Sequence, residues 1–172
     1  MLKEKDIPLL AKKTVEDYVL HGKMEEIEED LSEELQRKAG TFVTLKKNAK
    51  LRGCIGTVKP TQKNVAEEIQ KNAISAAEHD PRFSAVRPEE LDELEYSVDV
   101  IGEKEKVDDL SQLDPEKYGI LVKGGHQSGL LLPDLDGIDS IEKQITVARK
   151  KAGLGPEADI EIYRFPVKRY EE

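Results

Sequence analysis

The chain of 172 residues is 37% hydrophobic and 37% charged, which fits one compact, well-solvated domain and excludes a fibrous or disordered chain. Its 36 Asp plus Glu against 27 Lys plus Arg leave a formal net charge of −9, a field that repels nucleic acid and makes an RNA-binding or RNA-modifying role the least favoured class. No long apolar run spans a membrane, the N-terminus lacks a signal-peptide core, and the single cysteine cannot close an intramolecular disulfide, so a reducing, cytoplasmic setting is expected.

In chain order, Leu10, Val15, Tyr18 and Val19 recur at helical spacing, and His21-Gly22 supplies a stop, which predicts a helix from Ile7 to Leu20. The acidic stretch from Met24 to Leu35 carries Ile27, Leu31 and Leu35 four residues apart and predicts a surface helix. Its charge reads as a solvated face or as a docking surface for a basic partner. From Thr41 the composition turns β-branched, and "TFVTL" and "LRGCIGTV" predict a hairpin with a short loop around Asn48. Asn64 and Glu67 open a helix with the stripe Val65, Ile69, Ala73 and Ala76, ended by Pro81. "EYSVDVI" predicts a strand with Tyr96, Val98 and Val100 on one face.

"YGILVKGGHQSGLLL" then predicts a second hairpin. It lacks the spacing of a phosphate-binding loop, no cofactor motif stands elsewhere, and His126 belongs to an exposed turn. Asp139, with Glu142 three residues on, opens a helix striped by Ile141, Ile145, Ala148 and Ala152 and stopped by Gly153. A last strand, "DIEIYRF", closes the order. The grammar hairpin, helix, strand thus occurs twice, at about 41–102 and 117–166, with Gly129 falling on Gly53 when the halves are superposed. This predicts an α+β fold, one antiparallel sheet system from two duplicated units, with a site between them.

"GTFVTLKKNAKLRGCIGTV", "AISAAEHDPRFSAV", "ELDELEYSVDVI", "GLLLPDL" and "KKAGL", in this order, resemble the AMMECR domain family from about Leu9 to Tyr170. The resemblance implies an α+β fold with a larger and a smaller lobe, and no established reaction. It also implies, for one bacterial and archaeal branch, association with a Memo-like protein and a radical S-adenosylmethionine protein, which would make the chain an accessory subunit. Asp134 stands where the family commonly has glutamine, so no role is carried to that position.

The chemistry-bearing residues gather in "LRGCIG" and "EHDPRF". Strand alternation puts Arg52 and Cys54 on one face, where a nearby cation favours the nucleophilic thiolate. Gly53 and Gly56 leave room for a backbone or a ligand. Cys54 therefore reads as a small buried side chain, a ligand contact or a nucleophile. Arg52, within an apolar strand, needs an anion: an internal carboxylate such as Asp80, or the phosphate or carboxylate of a small ligand. His79 is a candidate general base, Asp80 an orienting group and Arg82 a second anion contact. Each also has a structural reading, as a helix end or a turn.

Overall fold

The computed structural model describes residues 1–172, which divide into two compact units: Met1–Val100 with Arg169–Glu172, and Ile101–Lys168. The first is built on the predicted hairpin, β1 (Thr41–Lys47) and β2 (Lys50–Gly56). Its two-residue turn, Asn48-Ala49, has positive φ at both positions (52° and 62°), the backbone whose twist matches that of paired strands. β1 also pairs antiparallel with β3 (Leu94–Ile101), so β2 lies at an edge of this three-stranded array.

Alternation along these strands sends Val43, Leu45, Tyr96, Val98 and Val100 inward. They meet α3 (Val65–Glu78), whose Val65, Ala66, Ile69, Ala73 and Ala76 are fully buried, and α1 (Ile7–His21) packs on α3 through Ile7, Ala11 and Val15. The predicted cap of α3 is present, the Asn64 side chain accepting from the Glu67 N–H, and Gly22 ends α1 in the left-handed region at φ 68°.

The acidic stretch departs from expectation. Only α2 (Glu33–Gln36) is helical, and the chain before it forms an isolated parallel bridge between Leu2 and Leu31. Like charges at helical spacing repel, and the backbone finds other partners: Leu2 N–H donates to the Asp30 carbonyl and Ser32 N–H to that of Leu2. Ile27 and Leu31 still pack inward, from non-helical chain.

The second unit pairs β5 (Tyr118–Gly124) with β6 (Gln127–Leu131) and with β7 (Glu161–Glu171), and the short β4 (Glu105–Lys106) flanks β7. "KGGHQ" is a hairpin turn with Gly125 at φ 61° and His126 exposed. Helix α4 (Ile141–Ala152) covers this sheet, ending at Gly153 as expected, but its cap is Ser140, whose hydroxyl accepts from the Lys143 N–H, one residue later than predicted. The smaller core comprises Leu113, Ile120, Val122, Leu131 and Ala148. A β-carbon on Gly53 would overlap the Ala76 carbonyl of α3, and one on Gly129 would lie 2.5 Å from the Ala148 carbonyl of α4, so each unit seats its helix against a strand glycine. The fold is α+β with antiparallel sheets. No helix is long and apolar enough to cross a membrane.

Candidate functional site

In the first unit, strand β2 and the turn that follows α3 bring "LRGCIG" and "DPRF" together. As an edge strand, β2 leaves the Cys54 N–H and carbonyl facing away from β1, where no third strand satisfies them. Asp80 and Arg82 take that place. The Asp80 carboxylate accepts from the Cys54 N–H at 3.0 Å, and Arg82 Nη2 donates to the Cys54 carbonyl at 3.3 Å. Asp80 also accepts from Arg82 N–H, Nε and Nη2 at 3.0, 3.0 and 2.8 Å. These bonds, those of the Arg82 side chain foremost, outweigh burial and hold the Asp80 carboxyl well below the usual range.

Arg52 does find an internal carboxylate, but Glu90 rather than Asp80, bound in a fork: Nε to Oε1 and Nη2 to Oε2, both 3.0 Å. Glu90 also accepts from Lys47 Nζ at 3.2 Å and from the Arg87 N–H at 2.9 Å. Its carboxyl is lowered to about 2, with Arg52 the largest cause and burial opposing. Sequence reasoning missed Glu90. The signal available was local, a proline and two acids opening the 3-10 turn Pro88–Glu93, and it reveals a cap but not an arginine 38 residues away.

The third corner of the guanidinium is left over: Arg52 Nη1 is buried and has no hydrogen-bond partner. Phe83, the aromatic of "DPRF", lies beside both cations, its ring centroid 5.9 Å from the Arg52 guanidinium carbon and 5.5 Å from that of Arg82. Arg82 keeps half of its side chain in solvent.

Cys54 is half-buried, with Sγ 3.1 Å from Thr44 Oγ1 across the non-hydrogen-bonded pair of β1 and β2. The basic side chain bonded to this residue is Arg82, and it reaches the backbone carbonyl rather than the thiol. His79 is the exposed residue just past α3, its N–H bonded to the Ser75 carbonyl, and no hydrogen bond joins it to Cys54. The space a β-carbon would take at Gly53 and Gly56 is filled by this chain itself, by the Ala76 carbonyl and by the Phe42 ring.

Behind the hairpin, a second polar group went unforeseen. Glu68, fully buried, accepts from Thr57 Oγ1, the Thr61 N–H and hydroxyl, and the Gln62 N–H, tying the loop after β2 to α3. Burial alone would raise its carboxyl, but these four bonds outweigh it and the net shift is downward. Asn72 joins Thr41 to Thr57 alongside.

The chain is similar to a Thermotoga maritima protein with which it is 52% identical, the match covering 93% of this chain and 94% of that one. A Clostridium acetobutylicum protein is 44% identical over 95% of the chain, which spans only 35% of that longer protein. The crystal structure of an uncharacterized protein from Pyrococcus horikoshii superposes with a TM-score of 0.84 at 33% identity, covering 98% of this chain and 90% of the other. The AMMECR1 family model matches residues 9–170, a span that holds both "LRGCIG" and "DPRF", and the chain therefore belongs to the AMMECR1 family.

Proposed function

We propose that the first unit binds a small anion, a carboxylate or a phosphate monoester, between Arg52 and Arg82 beside Phe83. The observation that carries this reading is the buried Nη1 of Arg52, which has no acceptor while Nε and Nη2 are engaged by Glu90. An arginine so held is oriented before a ligand arrives, and its free corner suits an oxygen acceptor. Arg82, fixed by Asp80 and half exposed, supplies the second charge. Cys54 is read as a contact for that ligand rather than as a nucleophile, because Thr44 holds its sulfur and no base is bonded to it.

Titration with inorganic phosphate and with citrate, followed by amide and arginine side-chain NMR, tests the proposal. Saturable shifts at Arg52, Arg82 and Phe83, weakened about tenfold or more in Arg82→Ala, are expected. Shifts confined to other residues would overturn it.

The accessory-subunit reading, in which the chain docks a Memo-like or radical S-adenosylmethionine protein, draws support from the acidic surface of the first unit, and co-purification at near-physiological salt tests it. The two hairpin-helix-strand units, about 41–102 and 117–166, are further read as copies of one ancestral unit, on the matching roles of Gly53 and Gly129. At the same offset Ser128 and Leu130 replace Arg52 and Cys54, so the anion site belongs to the first copy alone.

A further inference from the structure

The chain around α1 forms a groove unrelated to the anion site. A cavity of about 610 Å³ lies between α1 and the non-helical segment before α2, and its apolar lining includes Leu2, Leu9, Leu10 and Ile27. Six carboxylates surround that lining: Asp6 and Asp17 on the α1 side, and Glu25, Glu26, Glu28 and Glu29 on the other. One basic side chain, Lys13, stands among them, paired with Glu25 at 3.0 Å. Lys13 also feels the charges of Asp17 and Glu29, and the N-terminal amine lies 3.8 Å from Glu29.

A second observation is independent of the charge. Leu9 and Leu20 are 60% and 54% exposed, and they lie on one face of α1 with Lys13 and Asp17 between them. Met24, just beyond the helix, is 49% exposed. Eleven residues of α-helix separate the two leucines by ~16 Å, about three turns. Leu9 lines the groove, and Leu20 extends the exposed apolar face along the same helix; an apolar groove rimmed mostly by one sign of charge marks a surface suited to cover by protein.

We infer that this groove docks a basic amphipathic helix of a partner protein, with apolar side chains seated among Leu9, Leu10 and Ile27 and with Lys or Arg facing the carboxylates. The charge selects this occupant. An anionic lipid surface or a nucleic acid would meet six carboxylates, and a second copy of this chain would bring another net −9. The inference gives the accessory-subunit reading a location, and it stands or falls apart from the anion site.

The test uses the full chain and a fluorescein-labelled Leu/Lys peptide of roughly 16 residues with helical i, i+3, i+4 leucine spacing, read by fluorescence anisotropy at near-physiological salt. Its control is a scrambled peptide of the same composition. The patterned peptide is expected to bind at least about tenfold more tightly than the scrambled one, with amide NMR shifts along α1 and residues 25–29. Leu9→Ser and the double variant Glu28→Lys/Glu29→Lys should each weaken binding about tenfold, a difference of 1.4 kcal/mol. All of these are exposed positions, so circular dichroism should report unchanged folding. Equal binding of the two peptides would reduce the effect to bulk charge and overturn the inference, as would indifference to Leu9→Ser or self-association through the same face. Failure of co-purification with one named partner would overturn that pairing and leave the peptide result standing.

Discussion

The Asp80 carboxylate receives four hydrogen bonds, one from the Cys54 N–H and three from Arg82, with its side chain 2% exposed. Removing it leaves an edge-strand N–H without an acceptor and frees an arginine that now completes the edge. Asp80→Ala should therefore cost roughly 2 to 4 kcal/mol, less than a fully buried pair because Arg82 is half in solvent. Urea unfolding measures the loss, and a loss below about 1 kcal/mol would show that solvent replaces the clamp. Arg52 and Glu90 form a second unit of the same kind, but with one guanidinium corner unspent. Arg52 therefore combines a structural bond with a binding proposal, and the two are separable by experiment because they use different nitrogens.

Element boundaries are set by caps, and α4 offers a sharp comparison. Ser140 accepts from the Lys143 N–H at 3.1 Å, whereas Asp139 precedes the cap. Ser140→Ala should cost about 1 kcal/mol, and Asp139→Ala a few tenths at most. Thermal unfolding of the two variants decides which residue caps the helix. The strand glycines belong to this scale too. Gly53 is required by the closeness of β2 to α3, since a β-carbon there would overlap the Ala76 carbonyl. The edge of β2 shows how an element without a neighbour is completed: a carboxylate and a guanidinium from one turn stand in for the missing strand.

For the whole molecule, acid sensitivity follows from three carboxylates held below their ordinary range, Asp80, Glu90 and Glu68. A depressed folded-state pKa means the unfolded chain binds more protons as the pH falls, so the stabilisation is complete above the unfolded pKa and is lost below it. For Glu90 the window runs from 4.5 down to about 2, and the loss is on the order of 3 kcal/mol. Unfolding free energy should be nearly flat from neutrality to about pH 5 and fall steeply below 4.5. Glu90→Gln should be less stable at pH 7 and show a shallower acid slope. An unchanged slope would mean that the denatured state holds the same carboxylates equally low.

The amino-acid sequence by itself determined the elements whose causes are local. The Asn48 turn, the Asn64 cap, the Gly22 and Gly153 stops and the inward face of β3 depend on residues within a few positions of one another, and each lies where periodicity and capping placed it. The motif pair "LRGCIG" and "DPRF" was legible in the same way, as two short runs rich in chemistry. Only the tertiary structure decided what those runs do, because their partners are distant. Arg52 meets Glu90 38 residues away, Cys54 meets Asp80 26 residues away, and no spacing rule connects them. The acidic stretch failed as a helix for the same reason: its bridge is with Leu2 at the chain start, and a long-range backbone pairing outweighed a four-residue apolar repeat. Local propensity acts through neighbours in sequence, whereas charge pairing and edge completion act through neighbours in space.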